Sequence, residues 1–198
     1  MRVLVACEFS GAVRDAFAAR GHDAWSCDFL PSETGGNHIA GDVLAVLGGR
    51  KAISRGLYVH SEILPWDLMI AHPPCTHLAV SGARYFVAKR ASGVQDEALE
   101  FVRRLMDAPI PRICVENPIS IISTRIRRPD QIIQPWQFGH GETKATCLWL
   151  KGLKKLVPND LVDGRENRVH RMGPGPDRAK NRSITYAGIA TAMAAQWT

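Results

Sequence analysis

The 198 residues of this chain contain no CxxC pair, no apolar run of membrane-spanning length and no complete GxGxxG turn. Each absence excludes something. The five cysteines, Cys7, Cys27, Cys75, Cys114 and Cys147, are odd in number and widely spaced, which fits reduced thiols better than a disulfide framework. No stretch approaches the roughly 20 apolar residues that a bilayer-crossing helix needs. Arg2 leads straight into a short strand and then Glu8, unlike a signal peptide, so a soluble cytoplasmic protein is expected.

A hydrophobic content of 45% is enough to bury a full core, and residues 1–198 read as one domain. Within it, 1–150 form the catalytic core, 151–182 a basic loop and 183–198 a C-terminal helix. Net charge is +6, with basic residues recurring at Arg103-Arg104, Arg125 to Arg128, Lys151 to Lys155 and Arg165 to Arg182. Such an excess fits a nucleic-acid partner, and equally a solvated surface.

Residues 2–6 read as a strand, 12–19 as a helix of strong helix formers stopped by Gly21, and 23–27 as a second strand ending at Asp28. Strand, glycine turn, helix, strand and terminal acid open a nucleotide-binding Rossmann-like unit. A short helix follows Asp42, and 94–106 has helical spacing. The apolar runs 66–70 and 112–115 read as buried parallel strands. Residues 131–134 and 146–150 suit an antiparallel pair, 164–181 a polar loop, and 187–197 a closing helix. Residues 48–65 carry no readable chemistry. The expected fold class is α/β, a mostly parallel central sheet flanked by helices.

Open α/β sheets place their sites at the carboxyl ends of their strands. Cys75, in Ala71-His72-Pro73-Pro74-Cys75-Thr76, falls there, and Glu116-Asn117 follows the neighbouring strand. Pro73-Pro74 stiffens the loop ahead of the thiol and removes two backbone donors. A nucleophile beside a carboxylate suits covalent chemistry on an electrophilic ring or carbonyl. The bland alternatives are an inert loop cysteine and an ordinary acid.

Phe9-Ser10-Gly11 alone is as well explained by a turn glycine as by a cofactor loop. Asp28 adds an acid that can hold ribose hydroxyls, and Asp42 one that can meet an adenine amine. No lysine or further glycine cradles phosphate, which favours S-adenosylmethionine over NAD. A zinc site on His72, Cys75 and His77 is geometrically poor. A zinc deaminase pattern, His60-Ser61-Glu62 with Pro74-Cys75, lacks its second cysteine because Leu78 stands there. No metal is expected.

In this order the motifs resemble those of the cytosine-C5 DNA methyltransferases, over roughly residues 1–120. Phe9-Ser10-Gly11 is similar to the family's cofactor turn, Asp28 and Asp42 to its acids, Pro73-Pro74-Cys75 to its catalytic loop with Ser81-Gly82 following, and Glu116-Asn117 to its Glu-Asn pair. Val13 replaces a glycine, Thr76 a glutamine, and the large target-recognition domain is missing, so the resemblance is to a minimal, phage-type member. It implies a Rossmann-like S-adenosylmethionine-dependent fold, with Cys75 and Glu116 catalytic. Phe9, Ser10, Gly11, Asp28, Phe29, Asp42 and Pro73 would bind S-adenosylmethionine. Pro74, Ser81, Asn117 and Lys144 would meet the substrate, Asn117 chiefly by fixing the Pro-Cys loop. DNA is the implied partner, and another protein or a second copy could supply target recognition. The alternatives are the same chemistry on RNA or a free pyrimidine nucleotide, and an idle regulator that binds S-adenosylmethionine or nucleic acid.

Overall fold

The computed structural model describes residues 1–48, 52–54, 57–59, 65–175 and 178–198; His60, Ser61 and Glu62 of the deaminase pattern lie outside them. Five strands form a parallel centre: β1 (Arg2–Ala6), β2 (Asp23–Asp28), β3 (His38–Ala40), β6 (Leu68–Ala71) and β7 (Arg112–Pro118). Beyond β3 the sheet continues antiparallel through β4 (Ala52–Ser54) and β5 (Leu57–Val59). At the other edge β9 (Thr146–Lys151) runs antiparallel between β7 and β8 (Gln131–Ile133). The described order is β5-β4-β3-β2-β1-β6-β7-β9-β8.

The aliphatic run Val3-Leu4-Val5-Ala6 is buried on both faces, as a central parallel strand must be. Alternation sends Val3, Val5, Leu68 and Ile70 into one layer of core, and Leu4, Ala6, Met69 and Ala71 into the other. The first layer is closed by α1 (Ala12–Ala18) packed on α8 (Ala187–Gln196). The second is closed by α2 (Val43–Leu47) and α4 (Val94–Met106). Helix α4 buries Gln95, Leu99, Val102 and Leu105 on one face. Asp96 and Glu97 in its first turn and Arg103 and Arg104 in its last complement the helix dipole.

Two sequence expectations need correction. Residues 164–181 are not simply loop: α6 (Arg168–Arg171) and α7 (Arg178–Ser183) form there. Glu116 and Asn117 do not follow strand β7 but belong to it, because β9 pairs with β7 as far as Pro118–Thr146. No helix among the described residues is long and apolar enough to cross a membrane.

The chain fills β1, β2 and β3 in one direction, then returns to lay β6 on the other side of β1. The switch point therefore lies between the carboxyl ends of β1 and β6, where ligands of open α/β sheets bind.

Candidate active site

Beyond β1 the chain turns at Cys7, whose φ of 59° is in the left-handed region that few non-glycine residues adopt. The turn directs Glu8 back under α1. Its carboxylate accepts the amide of Val13 at 2.7 Å and that of Arg14 at 3.2 Å. A helix N-terminus is a ready anion site, and here the protein's own buried carboxylate fills it. The place where a Rossmann-like fold would seat a pyrophosphate is thus already taken.

Gly11 stands at φ 78°, and a Cβ there would come within 2.3 Å of Thr34 Oγ1 and 2.5 Å of Arg14 Nη2. Arg14 is 1% exposed, and its guanidinium explains the crowding. It donates to Ser26 Oγ at 3.0 Å, Ser32 Oγ at 2.9 Å and Thr34 Oγ1 at 2.5 Å, tying the loop after β2 to α1. At the end of β2, Asp28 Oδ1 accepts the Leu30 amide at 2.9 Å, and its carbonyl accepts the Gly41 amide at 2.9 Å. Asp42, next in the chain, accepts the Leu44 amide at 2.9 Å and caps α2. Phe29 projects from this edge 77% exposed. Phe9, Ser10, Gly11, Asp28, Phe29 and Asp42 thus share one edge of the sheet, at the ends of β1 and β2 and the start of α2.

The second half of the site lies at the ends of β6 and β7. Ala71 pairs with Val115, so the next positions, His72 and Glu116, face each other across adjacent strands. Their side chains meet: His72 Nδ1 lies 2.7 Å from Glu116 Oε2, with the two side chains only 9% and 12% exposed. Burial opposes charge on the imidazole, but the bond and charge of Glu116 prevail and raise its pKa. Burial likewise opposes charge on Glu116, but the His72 bond, its charge and the more distant Lys144 hold the carboxyl below its ordinary range. His72 Nε2, in contrast, is buried without a hydrogen-bond partner among the described residues.

The loop that follows is fixed at both ends. Asn117 Nδ2 donates to the Pro73 carbonyl at 2.8 Å. Val80 donates to the Ile119 carbonyl at 3.1 Å, and Ile121 returns a bond to the Leu78 carbonyl at 3.0 Å. Between these anchors Cys75 is exposed, next to the exposed Pro74, while Pro73 is buried. Cys27, Cys114 and Cys147 are buried and Cys7 half-buried, and burial pushes each of their thiols up, Cys27 to about 12 and Cys147 to about 11. Loss of hydration also raises the Cys75 thiol, and the charge of Glu116 adds to it; Lys144 and Arg182 pull in the opposite direction.

Lys144 links this site to the C-terminal segment. Its Nζ donates to the Arg182 carbonyl at 2.8 Å and to the Ile184 carbonyl at 3.4 Å. Lys180, on the same helix α7, pairs with Glu33 at 2.5 Å and lies 5.6 Å from the Phe9 ring. Helix α7 therefore reaches both halves of the site. Ser81 is exposed in the 3-10 helix Val80–Tyr85 that continues from the Cys75 loop.

Sequence reasoning overlooked Glu8, Arg14, His72 and Arg182 as members of this site. In the sequence His72 stands out only as a candidate zinc ligand; no metal-binding cluster occurs among the described residues. The available signal was strand register: a residue just past the end of one parallel strand faces its counterpart on the neighbour.

The chain matches no family model and no curated protein. It does superpose on a solved structure provisionally described as a DNA modification methyltransferase encoded within a prophage of E. coli, with a TM-score of 0.50 and 13% identical residues. The match covers 82% of this chain and 52% of that one, so the chain spans about half the length of its structural counterpart. At that identity the likeness establishes the fold, a Rossmann-like α/β sheet flanked by helices.

Proposed function

We propose that the protein is an S-adenosylmethionine-dependent methyltransferase that transfers a methyl group to C5 of cytosine in DNA through a Cys75 adduct at C6. One observation carries the reading. An exposed thiol stands on a pinned loop at the sheet's switch point, and a largely enclosed carboxylate, hydrogen-bonded to His72, stands on the adjacent strand. The fold shared with a protein described as a DNA modification methyltransferase supports it.

The residues at the ends of β1 and β2 fit the cofactor. Glu8 fills the α1 N-terminus that a phosphate would otherwise occupy, which suits a nucleoside cofactor that needs no phosphate cradle. Phe9, Ser10 and Gly11 would line one side of it, Asp28 would take the ribose hydroxyls, Asp42 the adenine amine and Phe29 a ring face, with Pro73 at the join between cofactor and target. When bound, the cofactor supplies the methyl group that C5 accepts.

The chain's own residues prepare the base. C5 of cytosine is a poor nucleophile until a thiolate adds to C6. Cys75 gives its proton to solvent and adds there, while Glu116 meets N3 and the exocyclic amine and favours the charge that develops. Loss of the C5 proton then releases Cys75. Asn117 holds the loop through Pro73, and Lys144 contributes positive charge near Cys75 and Glu116. Pro74 and Ser81 would border the base, which must leave the stack if the substrate is a duplex.

DNA is favoured over a free nucleotide by a basic cleft of about 640 Å³ lined by Arg165, Glu166, Asn167, Arg168, Arg171 and Met172. Its three arginines would meet the phosphates of a polyanion. The test is incubation with methyl-labelled S-adenosylmethionine and, separately, duplex DNA, single-stranded DNA, RNA and dCMP. Label in DNA supports the proposal, label in RNA or dCMP moves the substrate, and label in none overturns it.

A further inference from the structure

The pair formed by His72 and Glu116 asks more of His72 than packing. Cytosine recognition needs a carboxylate that also controls a proton, since addition of a thiolate at C6 drives an electron pair onto N3. An isolated buried carboxylate manages this poorly: ionised it has no proton, and neutral it has lost the charge that attracts the amine. His72 resolves the conflict by geometry. It lies just past the end of β6, the strand beside β7, with Nδ1 2.7 Å from Glu116 Oε2 and both side chains nearly sealed from water. The charged groups around the ring are few: Glu116 from β7, Glu8 from the turn after β1 and Lys144 from the approach to β9, with Cys75 on the loop His72 itself opens. Nε2, one of four buried side-chain polar atoms without a hydrogen-bond partner among the described residues, is a second observation, because such atoms are rarely left unsatisfied unless a ligand or functional demand meets them.

We propose that His72 is a positioning residue for the reaction inferred above: its Nδ1–H orients the Glu116 carboxylate and stores the proton that N3 takes as Cys75 adds to C6. The step balances. The thiolate pair forms the S–C6 bond, the C5=C6 pair moves to C4–C5, and the C4=N3 pair takes a proton from Glu116, which is replenished from Nδ1. In the absence of a methyl donor, C5 then uses the C4=C5 pair to bond a deuteron from solvent. On reversal the original C5 hydrogen leaves to water, its bond pair re-forms C5=C6, the S–C6 pair returns to sulfur, and the N3 proton returns to the pair as C4=N3 re-forms. His72 touches the base only through Glu116.

This inference rests on the cytosine-C5 reading, and one assay separates the two. Without any methyl donor, addition and reversal should exchange the C5 hydrogen of a cytosine substrate for solvent deuterium. Wild-type protein should show this on DNA, with a rate that rises as Cys75 ionises and falls at high pH as the pair loses its proton. His72→Gln should lower the optimum rate by about tenfold or more and remove or shift the alkaline limb, while substrate KM stays within about twofold. In a Glu116→Gln background, His72→Gln should add nothing, because both act on one proton. A His72→Gln protein with an unchanged alkaline limb, or an effect additive with Glu116→Gln, overturns the inference alone. Absence of exchange by wild-type protein on DNA, RNA and dCMP overturns the cytosine reading and this inference with it. If His72→Gln does not fold, nitrogen NMR of the wild-type ring decides. A doubly protonated imidazole at pH 7 supports the proton store, and a neutral one overturns it.

Discussion

The side-chain Nδ2 of Asn117 donates to the Pro73 carbonyl at 2.8 Å, so strand β7 holds the loop that presents Cys75. Asn117 is buried, and its neighbour Glu116 supplies the carboxylate of the same site. One dipeptide thus fixes the thiol's loop with one side chain and offers an acid with the other. Asn117→Ala should cost about 1–3 kcal/mol through the lost bond and the stranded carbonyl. A thermal melt should show Tm lower by several degrees, and methyl transfer should fall further than stability alone explains. Unchanged melting and activity would mean that the proline pair holds the loop unaided.

At the other half of the site, Asp28→Ala should weaken S-adenosylmethionine binding by more than about tenfold, or roughly 1.4 kcal/mol. Titration calorimetry on the wild type should also show no binding of NAD, because Glu8 occupies the α1 N-terminus. Unaltered affinity in a folded Asp28→Ala protein would remove Asp28 from the cofactor site.

The Cys75 thiol should be mostly protonated at rest. Desolvation and the charge of Glu116 raise it above the usual 9.0. Alkylation by iodoacetamide should therefore accelerate with pH and show no plateau below pH 9, with mass spectrometry finding Cys75 modified before the buried cysteines. Arg182 stabilises the thiolate, so Arg182→Met should slow alkylation at pH 8, by about threefold for a further half-unit rise, roughly 0.7 kcal/mol. Faster alkylation of that variant would contradict the assigned electrostatics.

The His72–Glu116 pair also sets a pH window for stability. In the unfolded chain Glu116 titrates near 4.5 and His72 near 6.5. The native carboxyl lies lower, so its contribution is present above pH 4.5 and fades as pH falls through the native value. The native imidazole lies higher, so its contribution is present below pH 6.5 and fades as pH rises through the native value. The Tm difference between wild type and the His72→Gln/Glu116→Gln double variant should peak between pH 4.5 and 6.5 and shrink on both sides. A difference that does not vary with pH would show that the pair is not ionised in the folded protein.

Much of this fold was legible because local signals agreed with tertiary placement. Residues 2–6 and 112–115 read as strands from their runs of aliphatic and β-branched residues, and 94–106 carries one apolar face between acidic and basic ends. The ends of elements were harder. Glu116 reads as a loop residue, yet β9 extends the ladder past it, and a long-range pairing leaves no local trace. The glycine- and proline-rich segment 164–181 reads as loop, yet Arg178 and, just beyond it, Arg182 find carbonyls and Lys180 an acid, contacts that hold two short helices. At the site, Cys75, Glu116 and Asp28 were visible as residue types at strand ends. His72 and Glu8 were not, since their roles depend on register and on a left-handed turn at Cys7.

The central claim is that Cys75 forms a covalent bond to C6 of cytosine. A fluorine at C5 cannot leave as a cation, so after methyl transfer the adduct cannot resolve. DNA containing 5-fluorocytosine, incubated with the protein and S-adenosylmethionine, should give a protein–DNA species that survives denaturing electrophoresis. Cys75→Ser should abolish it, because a hydroxyl is far less ionised than a thiol. Glu116→Gln should slow it strongly while leaving cofactor binding nearly intact. The account is contradicted by measurable methyl transfer with no trapped species, or by trapping that persists in Cys75→Ser.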